Sequence, residues 1–558
     1  MIEVRVDKPK GKRNYIIYLK CKYNKEIISI IKTFPGATFN SGQWEVPFKY
    51  FNSLVDSLSE FTLEFYGKLP KSAEDYLDQL DQFDSAQEGV TYKPKTKPYE
   101  HQYESFKYSL DHRKFLLADE QGLGKTKQSI DIAVSKKGQF KHCLIVCGVN
   151  GLKWNWKKEV EIHSNEKAHI LGEYTNSKGK TVIGSVDKRL KDLSNNIEEF
   201  FIITNVETLR NKKIAEQLRG MCQEGIIGMT IIDEIHKCKN STSVQGKAIH
   251  NLCSYYKIAL TGTPLMNSPI DLYNILKWLD KEPHNLTQFK AYYCNLGSFN
   301  EIVSYKHLDV LQASLDSCML RRKKEEVLDL PPKIRTTEYV EMGSKQSKIY
   351  KDVQLQIQKD IDRILLSPNP LVELLRLRQC TGHPAILSSE VKESCKIERL
   401  IELADEVVQN KDKLVVFSNW TTTLDPAIQA LKQYNPAVIT GATKNRQQEQ
   451  DRFQNDDKCK VILGTISAMG TGLTLTAGST IIFLDSPWTR ADKDQAEDRC
   501  HRIGTTKPVN IITLVCKDTI DERIESILNG KGYLSDIVVD KFNNTNKIDM
   551  DTLQYLIS

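Results

Sequence analysis

The stretch ADEQGLGKT, residues 118–126, constrains this chain more than any other. It follows the apolar run Phe115-Leu116-Leu117, which reads as a buried strand. It precedes KTKQSIDIAVSK, where Ile130, Ala133 and Val134 fall on the apolar side of a helix. Strand, glycine-rich turn and helix in that order form a cradle for a triphosphate. Backbone N–H groups of Glu120, Gln121, Gly122, Leu123, Gly124, Lys125 and Thr126 curl round the phosphates, and the helix N-terminus faces their charge. Lys125 is placed to reach the outer phosphates and the Thr126 hydroxyl to bind Mg²⁺. Gly122 and Gly124 permit the tight turn. The general pattern has a glycine six residues before the lysine; here that position is Asp119.

A chain of 558 residues predicts about three domains, at roughly 150 residues each. Hydrophobic content of 40% and charged content of 27% are those of a soluble globular protein. No apolar run approaches the ~18 residues of a membrane span, and MIEVRVDKPKGKR lacks the apolar segment of a secretory signal. The 13 cysteines are scattered and odd in number, which fits a reducing, cytoplasmic setting. Cys143 and Cys147 sit in the strand-like LIVCG as small buried thiols. Cys380 and His383 have a ligand-like gap but no second pair, so no metal site is expected there. The net charge of +6 permits polyanion binding without requiring it.

In chain order, residues 1–68 predict a small α+β domain. YIIYL (15–19) and FTLEFY (61–66) are strand-like, and NKEIISIIKTF (24–34) and KYFNSLVDSL (49–58) are helical. TFNSGQWEVPF (38–48) places a Ser-Gly turn between extended arms. Lys8, Lys10, Lys12, Arg13, Lys20 and Lys22 make the first third basic, as a phosphate-binding face or a solvated surface. Residues 69–97 are polar and predict an acidic helix or linker followed by a Pro/Lys stretch. From residue 98 the pattern is α/β. Apolar runs at 115–118, 143–147, 201–204 and 226–232 alternate with helical stretches, which predicts a mostly parallel sheet covered on both faces. Ligands in such sheets bind at the carboxyl ends of the strands.

IIGMTIIDEIH ends one of these runs with Asp233, placed to hold Mg²⁺, and Glu234, placed to polarise the attacking water. ALTGTPLMN (259–267) is a further strand followed by small and hydroxyl residues. The second half repeats the α/β pattern without a second phosphate loop: KLVVFSNW (413–420), AVITG (437–441), KVILGT (460–465), STIIFLD (479–485) and VNIITLV (509–515). QAEDRCHRIG (495–504) is read as a helix with Gln495, Arg499 and Arg502 on one face. The arginine fork suits a triphosphate supplied from across a cleft. Ion pairing with Glu497 and Asp498 is the plainer alternative.

The order and wording of these motifs resemble the Swi/Snf-type ATPases of helicase superfamily two over roughly residues 98–540. Their first motif reads like ADEQGLGKT, with the acidic residue at Asp119. Gln102 sits at the adenine-reading glutamine, and NWKKE (155–159) and IITNVETL (202–209) at early DNA-contact segments. DEIH matches a DEAH-like box, with Ile235 in place of a small residue. LRRKKEEVLDLPPK (320–333), LRLRQCTGHP (375–384), GTISAMGTGLTL (464–475), LDSPW (484–488) and QAEDRCHRIG complete the set, and TIDERIESIL (519–528) resembles the family's C-terminal brace. Residues 1–68, with an aromatic-ended hairpin at Trp44, resemble the HARP domain that precedes the motor of annealing helicases.

The resemblance implies two RecA-like, doubly wound parallel-sheet lobes with helical insertions. The expected boundaries are 98–318 for lobe 1, 319–333 for a linker, 334–530 for lobe 2 and 531–558 for a brace or tail. It implies an ATP- and Mg²⁺-dependent double-stranded DNA translocase whose lobes close on ATP, so that Lys125, Asp233 and Glu234 meet Arg499 and Arg502. Thr204, Asn205 and Thr465 match DNA-contact positions, where polar groups grip phosphates with little sequence preference. His236, Thr261, Gly472 and Gln495 match residues that couple nucleotide to DNA; Trp488 is either in that coupling or a core residue. A monomeric motor on duplex or branched DNA, in a bacterial or viral setting and without a histone-reading module, is the expectation. A strand-separating helicase and a clamp that binds ATP without translocating are the alternatives.

Overall fold

The structure, a computed structural model, describes residues 1–529 and 556 apart from 10–13, 33, 35, 59–60, 88, 149–151, 178, 180, 196, 263–267, 298–301, 361–370, 389–390, 392 and 471. Lys10, Lys12, Arg13, the end of ALTGTPLMN and all but Leu556 of the expected tail lie outside the described residues.

The N-terminal domain is a five-stranded sheet of β1 (Ile2–Asp7), β2 (Ile16–Cys21), β3 (Thr38–Asn40), β4 (Gln43–Pro47) and β5 (Leu63–Tyr66). Its order is β3-β4-β2-β1-β5, with only β1 and β5 parallel. β1 buries Ile2, Val4 and Val6 and exposes Glu3, Arg5 and Asp7, so one face of the sheet is core. Ile27 and Ile31 of helix Lys25–Lys32 and Leu54 of helix Phe51–Ser57 close that core. Ser41 and Gly42 both have positive φ (49° and 82°), the backbone that a two-residue hairpin turn requires.

By their contacts, residues Met1–Asp119, Lys125–Leu265 and Pro269–Arg321 form one unit, so this domain is seated on the first lobe. Tyr50 Oη lies 2.6 Å from His284 Nε2, and His284 Nδ1 lies 2.6 Å from Glu282 Oε1; all three residues are buried. Helix Lys71–Gln87 links the domain to the lobe, and the Arg113 guanidinium covers its Tyr76 ring.

The first lobe is built on a seven-stranded parallel sheet. Its strands are β6 (Lys114–Leu117), β7 (His142–Cys147), β8 (Ala168–Ile170), β11 (Phe201–Asn205), β12 (Ile227–Ile232), β13 (Tyr256–Leu260) and β16 (Met319–Leu320), in the order β16-β6-β13-β12-β7-β11-β8. Two ribbons stand apart, β9 (Glu173–Thr175) with β10 (Thr181–Ile183) and β14 (Cys294–Leu296) with β15 (Ile302–Tyr305). Successive residues of β7 enter opposite cores. Leu144 and Val146 pack with Ile202, Leu218 and Ile232, while Cys143, Ile145 and Cys147 pack with Ile130, Ala133 and Trp156. A strand buried on both faces must be apolar throughout, which is why LIVCG reads as a continuous run.

The second unit comprises Glu120–Gly124, Met266–Ser268 and Arg322–Ser558. Its sheet is also fully parallel: β17 (Lys333–Val340), β18 (Lys413–Ser418), β19 (Ala437–Ile439), β20 (Val461–Thr465), β21 (Gly478–Phe483) and β22 (Val509–Cys516), in the order β17-β22-β21-β18-β20-β19. Val415 and Phe417 enter one core, Leu414 and Val416 the other.

Two expectations are corrected. Met319 and Leu320, read as linker, pair with Leu116 and Leu117 as the edge strand of the first sheet. The helix expected over 495–504 runs only over Arg490–Glu497, and Arg499 and Arg502 lie in the tight turns beyond it. Glu497 and Asp498 are held by the chain at the foot of β17, where Arg335 forks onto Glu497 (2.7 and 3.1 Å) and Lys324 and Lys333 each reach Asp498 at 2.6 Å. Those pairs, with Cys500 buried and Gly504 at φ +101°, turn the backbone out of the helix.

Candidate nucleotide site

The loop after β6 runs into helix Lys125–Ser135, and Thr126 lies in that helix's first turn. Gly122 (φ +89°) and Gly124 (φ +76°) occupy the left-handed region, as the turn requires. Lys125 Nζ donates to the Asp119 carbonyl at 2.7 Å, which holds the ammonium against the loop it serves. Asp119 itself is fully buried, and its carboxylate accepts from Gln128 Nε2 at 3.1 Å. The acid in place of a glycine is therefore a strut between loop and helix. Gln102, also buried, accepts the Tyr99 N–H at 3.1 Å and so caps helix Glu100–Asp111.

Asp233 and Glu234 stand at the carboxyl end of β12. Glu234 adopts φ +49°, ψ +49°, a left-handed backbone that costs a non-glycine residue about 1–3 kcal/mol and persists only where the surroundings impose it. Gly148, just after β7, supplies the room. A Cβ there would lie 2.8 Å from Glu234 Cβ and 2.9 Å from the Asp233 carbonyl oxygen. Burial, then the Glu234 charge, push the Asp233 pKa up to about 6, against a hydrogen bond from Trp156 and the Lys125 charge. Trp156 Nε1 donates to Asp233 Oδ2 at 2.9 Å. Glu234 Oε2 is buried without a hydrogen-bond partner. His236 Nδ1 lies 3.3 Å from both Glu234 Oε2 and Thr261 Oγ1, which joins the carboxylate strand to the end of β13.

Thr204 and Asn205 lie at the carboxyl end of β11, both buried. The Asn205 amide donates to Glu207, and its oxygen accepts from Thr208 Oγ1 at 2.6 Å. In the second unit Thr465 is buried at the end of β20, and Gly472 has φ +71°. Arg499 Nη2 donates to Gln121 Oε1 at 2.9 Å, and its Nε to the Gln495 carbonyl at 3.1 Å. Arg502 Nη1 donates to Thr474 Oγ1 at 3.0 Å. At the carboxyl ends of the adjacent strands β18 and β21, Asp485 accepts from Ser418 Oγ and from the N–H and amide of Asn419. Beside them the buried Arg378 guanidinium packs on the Trp420 and Trp488 rings, 4.6 and 4.1 Å from their centroids. Its Nε and Nη1 make no hydrogen bond.

The structure thus gathers Lys125, Asp233, Glu234, His236 and Thr261 in the first unit, and Gln495, Arg499 and Arg502 in the second. Reading the sequence missed Trp156, Gly148 and Arg378 as parts of these arrangements. NWKKE was read as a DNA-contact segment, yet its tryptophan is 1% exposed and serves the carboxylate. A tryptophan with an N–H to place, inside an otherwise amphipathic helix, was the available signal.

The SNF2-related domain description matches residues 39–386, and that of the Helicase conserved C-terminal domain matches residues 395–504. The chain belongs to the SNF2-related family. It is 28% identical over 452 residues to an uncharacterized ATP-dependent helicase of Mycoplasma pneumoniae, over 78% of this chain and 41% of that protein. It is 26% identical over 514 residues to the human lymphoid-specific helicase, over 76% of this chain and 60% of that protein. This SNF2 chain spans about two fifths of the length of its Mycoplasma relatives. Among solved structures, the Sulfolobus solfataricus SWI2/SNF2 ATPase core in complex with dsDNA aligns at 24% identity and a TM-score of 0.37, over 84% of this chain and 98% of that one. Among the described residues no helix is long and apolar enough to cross a membrane.

Proposed function

We propose that this chain is an ATP-hydrolysing translocase on double-stranded DNA. The observation that carries the reading is the Asp233–Glu234 pair at the end of β12, with Lys125 close enough for its charge to act on Asp233 and Glu234 held in a left-handed turn. The loop amides and Lys125 bind the phosphates. Glu234, its Oε2 free of hydrogen bonds, orients and deprotonates the attacking water. Arg499 and Arg502 stabilise the charge that develops on the transferring phosphoryl group. The oxygen donors Thr126 and Asp233 suit Mg²⁺, and the bound ion would neutralise phosphate charge there. The buried Asp233 carboxylate, with the Glu234 charge beside it, supports that fit.

The relatives named as helicases support DNA as the partner. Lys8, Lys20 and Lys22 are exposed on the N-terminal domain, where the HARP resemblance points to branched DNA. ATP turnover measured with duplex, single-stranded, forked and RNA ligands tests the reading. Duplex should stimulate most, and a strand-displacement assay should show no unwinding. Glu234→Gln should bind ATP and not hydrolyse it; wild-type turnover in that variant would refute the assignment. Arg502→Ala should lose about 10³-fold in turnover with little loss of nucleotide affinity, and Arg502→Lys should not rescue it.

A further inference from the structure

Cys395 and Cys516 are separated by 121 residues, yet their Sγ atoms lie 3.5 Å apart in the second unit. Cys395 opens helix Cys395–Gln409, and Cys516 ends β22. We propose that this pair is a site of reversible oxidation by hydroperoxides, with Cys395 the reacting thiol and Cys516 the thiol that resolves it. Neither residue belongs to the nucleotide site described above.

The two sulfurs differ in the way such a reaction requires. Cys395 is half-buried, so a small oxidant reaches it, while Cys516 is fully buried. The hydrogen bond from Cys516, then the neighbouring Lys396 charge, hold the Cys395 thiol below its ordinary pKa against the effect of burial. The helix N-terminus acts in the same direction. Burial pushes Cys516 well up, which keeps it a thiol until its partner is oxidised. Asp521, paired with Lys396 at 2.5 Å, is the acid that faces both sulfurs and opposes a thiolate.

The reaction balances. The Cys395 thiolate attacks one peroxide oxygen, an S–O bond forms, the O–O bond breaks, and the departing hydroxide leaves as water once protonated. Cys516 sulfur then attacks Cys395 sulfur; the S–S bond forms, the S–O bond breaks, and the leaving hydroxide takes the Cys516 proton as a second water. Two thiols lose two electrons and the peroxide gains them. The sulfurs must close from 3.5 Å to the bonded distance of about 2.05 Å. The bond would tie the start of helix Cys395–Gln409 to the end of β22, beside the helix Ile520–Leu528 that Thr519 caps.

The test treats the full chain with hydrogen peroxide, blocks remaining thiols by alkylation and maps peptides without reduction. A Cys395–Cys516 peptide lighter by two hydrogens and restored by dithiothreitol is expected. In Cys516→Ser the sulfenic acid on Cys395 should persist and be captured by dimedone; in Cys395→Ser, Cys516 should stay reduced. The exposed Cys253 is the internal comparison. The proposal is overturned if Cys253 oxidises while Cys395 and Cys516 both remain alkylatable after unfolding. It is equally overturned if wild-type Cys395 proceeds to the sulfinic acid with no disulfide formed. The wild-type map alone decides between these results, whether or not the variants fold.

Discussion

Gly148→Ala should disable the carboxylate pair without touching it. The added Cβ would meet Glu234 Cβ at 2.8 Å and the Asp233 carbonyl at 2.9 Å, where ordinary contacts begin at 3.4 Å. About half an ångström of relief is therefore needed on two atoms at once. One belongs to backbone and the other to a residue already held at φ +49°, so neither moves freely. Overpacking of this kind costs about 1–3 kcal/mol. A shift approaching 1 Å at a reacting group costs up to about 10²-fold in rate. The expected result is a folded variant, destabilised within that range, that binds ATP near normally and turns it over roughly 10- to 100-fold more slowly. Denaturant titration, fluorescent-nucleotide binding and phosphate release measured on the same preparation separate these effects. Wild-type turnover at wild-type stability would show that Gly148 does not set the position of Glu234.

Trp156→Phe removes the donor to Asp233 and should raise the Mg²⁺ concentration for half-maximal turnover about 10- to 100-fold, the usual loss when a ligand's supporting hydrogen bond goes; an unchanged Mg²⁺ titration refutes it. Tyr50→Phe leaves a buried His284 nitrogen without its partner and should lower stability by about 1–3 kcal/mol. An unchanged denaturant midpoint would mean the N-terminal domain is not fixed to the first lobe through this contact. Burial raises the Asp192 pKa, but hydrogen bonds from Lys188 and His169 and the Gly172 N–H outweigh it and hold it below the ordinary value. That stabilisation is present above the unfolded-state pKa near ~3.9 and is lost as pH falls through the folded one. Asp192→Asn should therefore be less stable at neutral pH, and the gap should narrow on acidification below about pH 4. Parallel melting curves from pH 6 to pH 2 would contradict this.

The central strands and the phosphate loop were legible because burial on both faces leaves a continuous apolar run that few other structures produce. β1 was equally legible in IEVRVD, whose alternation is that of a one-sided strand, but it was not read. β17 hides its role because KIRTTEYV is largely polar and lies at a sheet edge, exposed along much of its length. The arginine turn was misread as helix because 3.6-residue spacing carries no information about distant partners. Arg335, Lys333 and Lys324, which hold Glu497 and Asp498, lie more than 160 residues away. Asp119 and Trp156 show the same limit: the partner of each is set by the fold and is not carried by the residue itself.

Arg378 has a practical consequence. Of the six tryptophans in the chain, two share one guanidinium as their common neighbour. Trp420 follows β18 and Trp488 follows β21, while Arg378 rides on helix Leu371–Gly382. Any displacement of that helix against the two loops changes the surroundings of both indoles together. The carboxyl edge of the second sheet thus carries its own optical gauge, readable in the unlabelled protein.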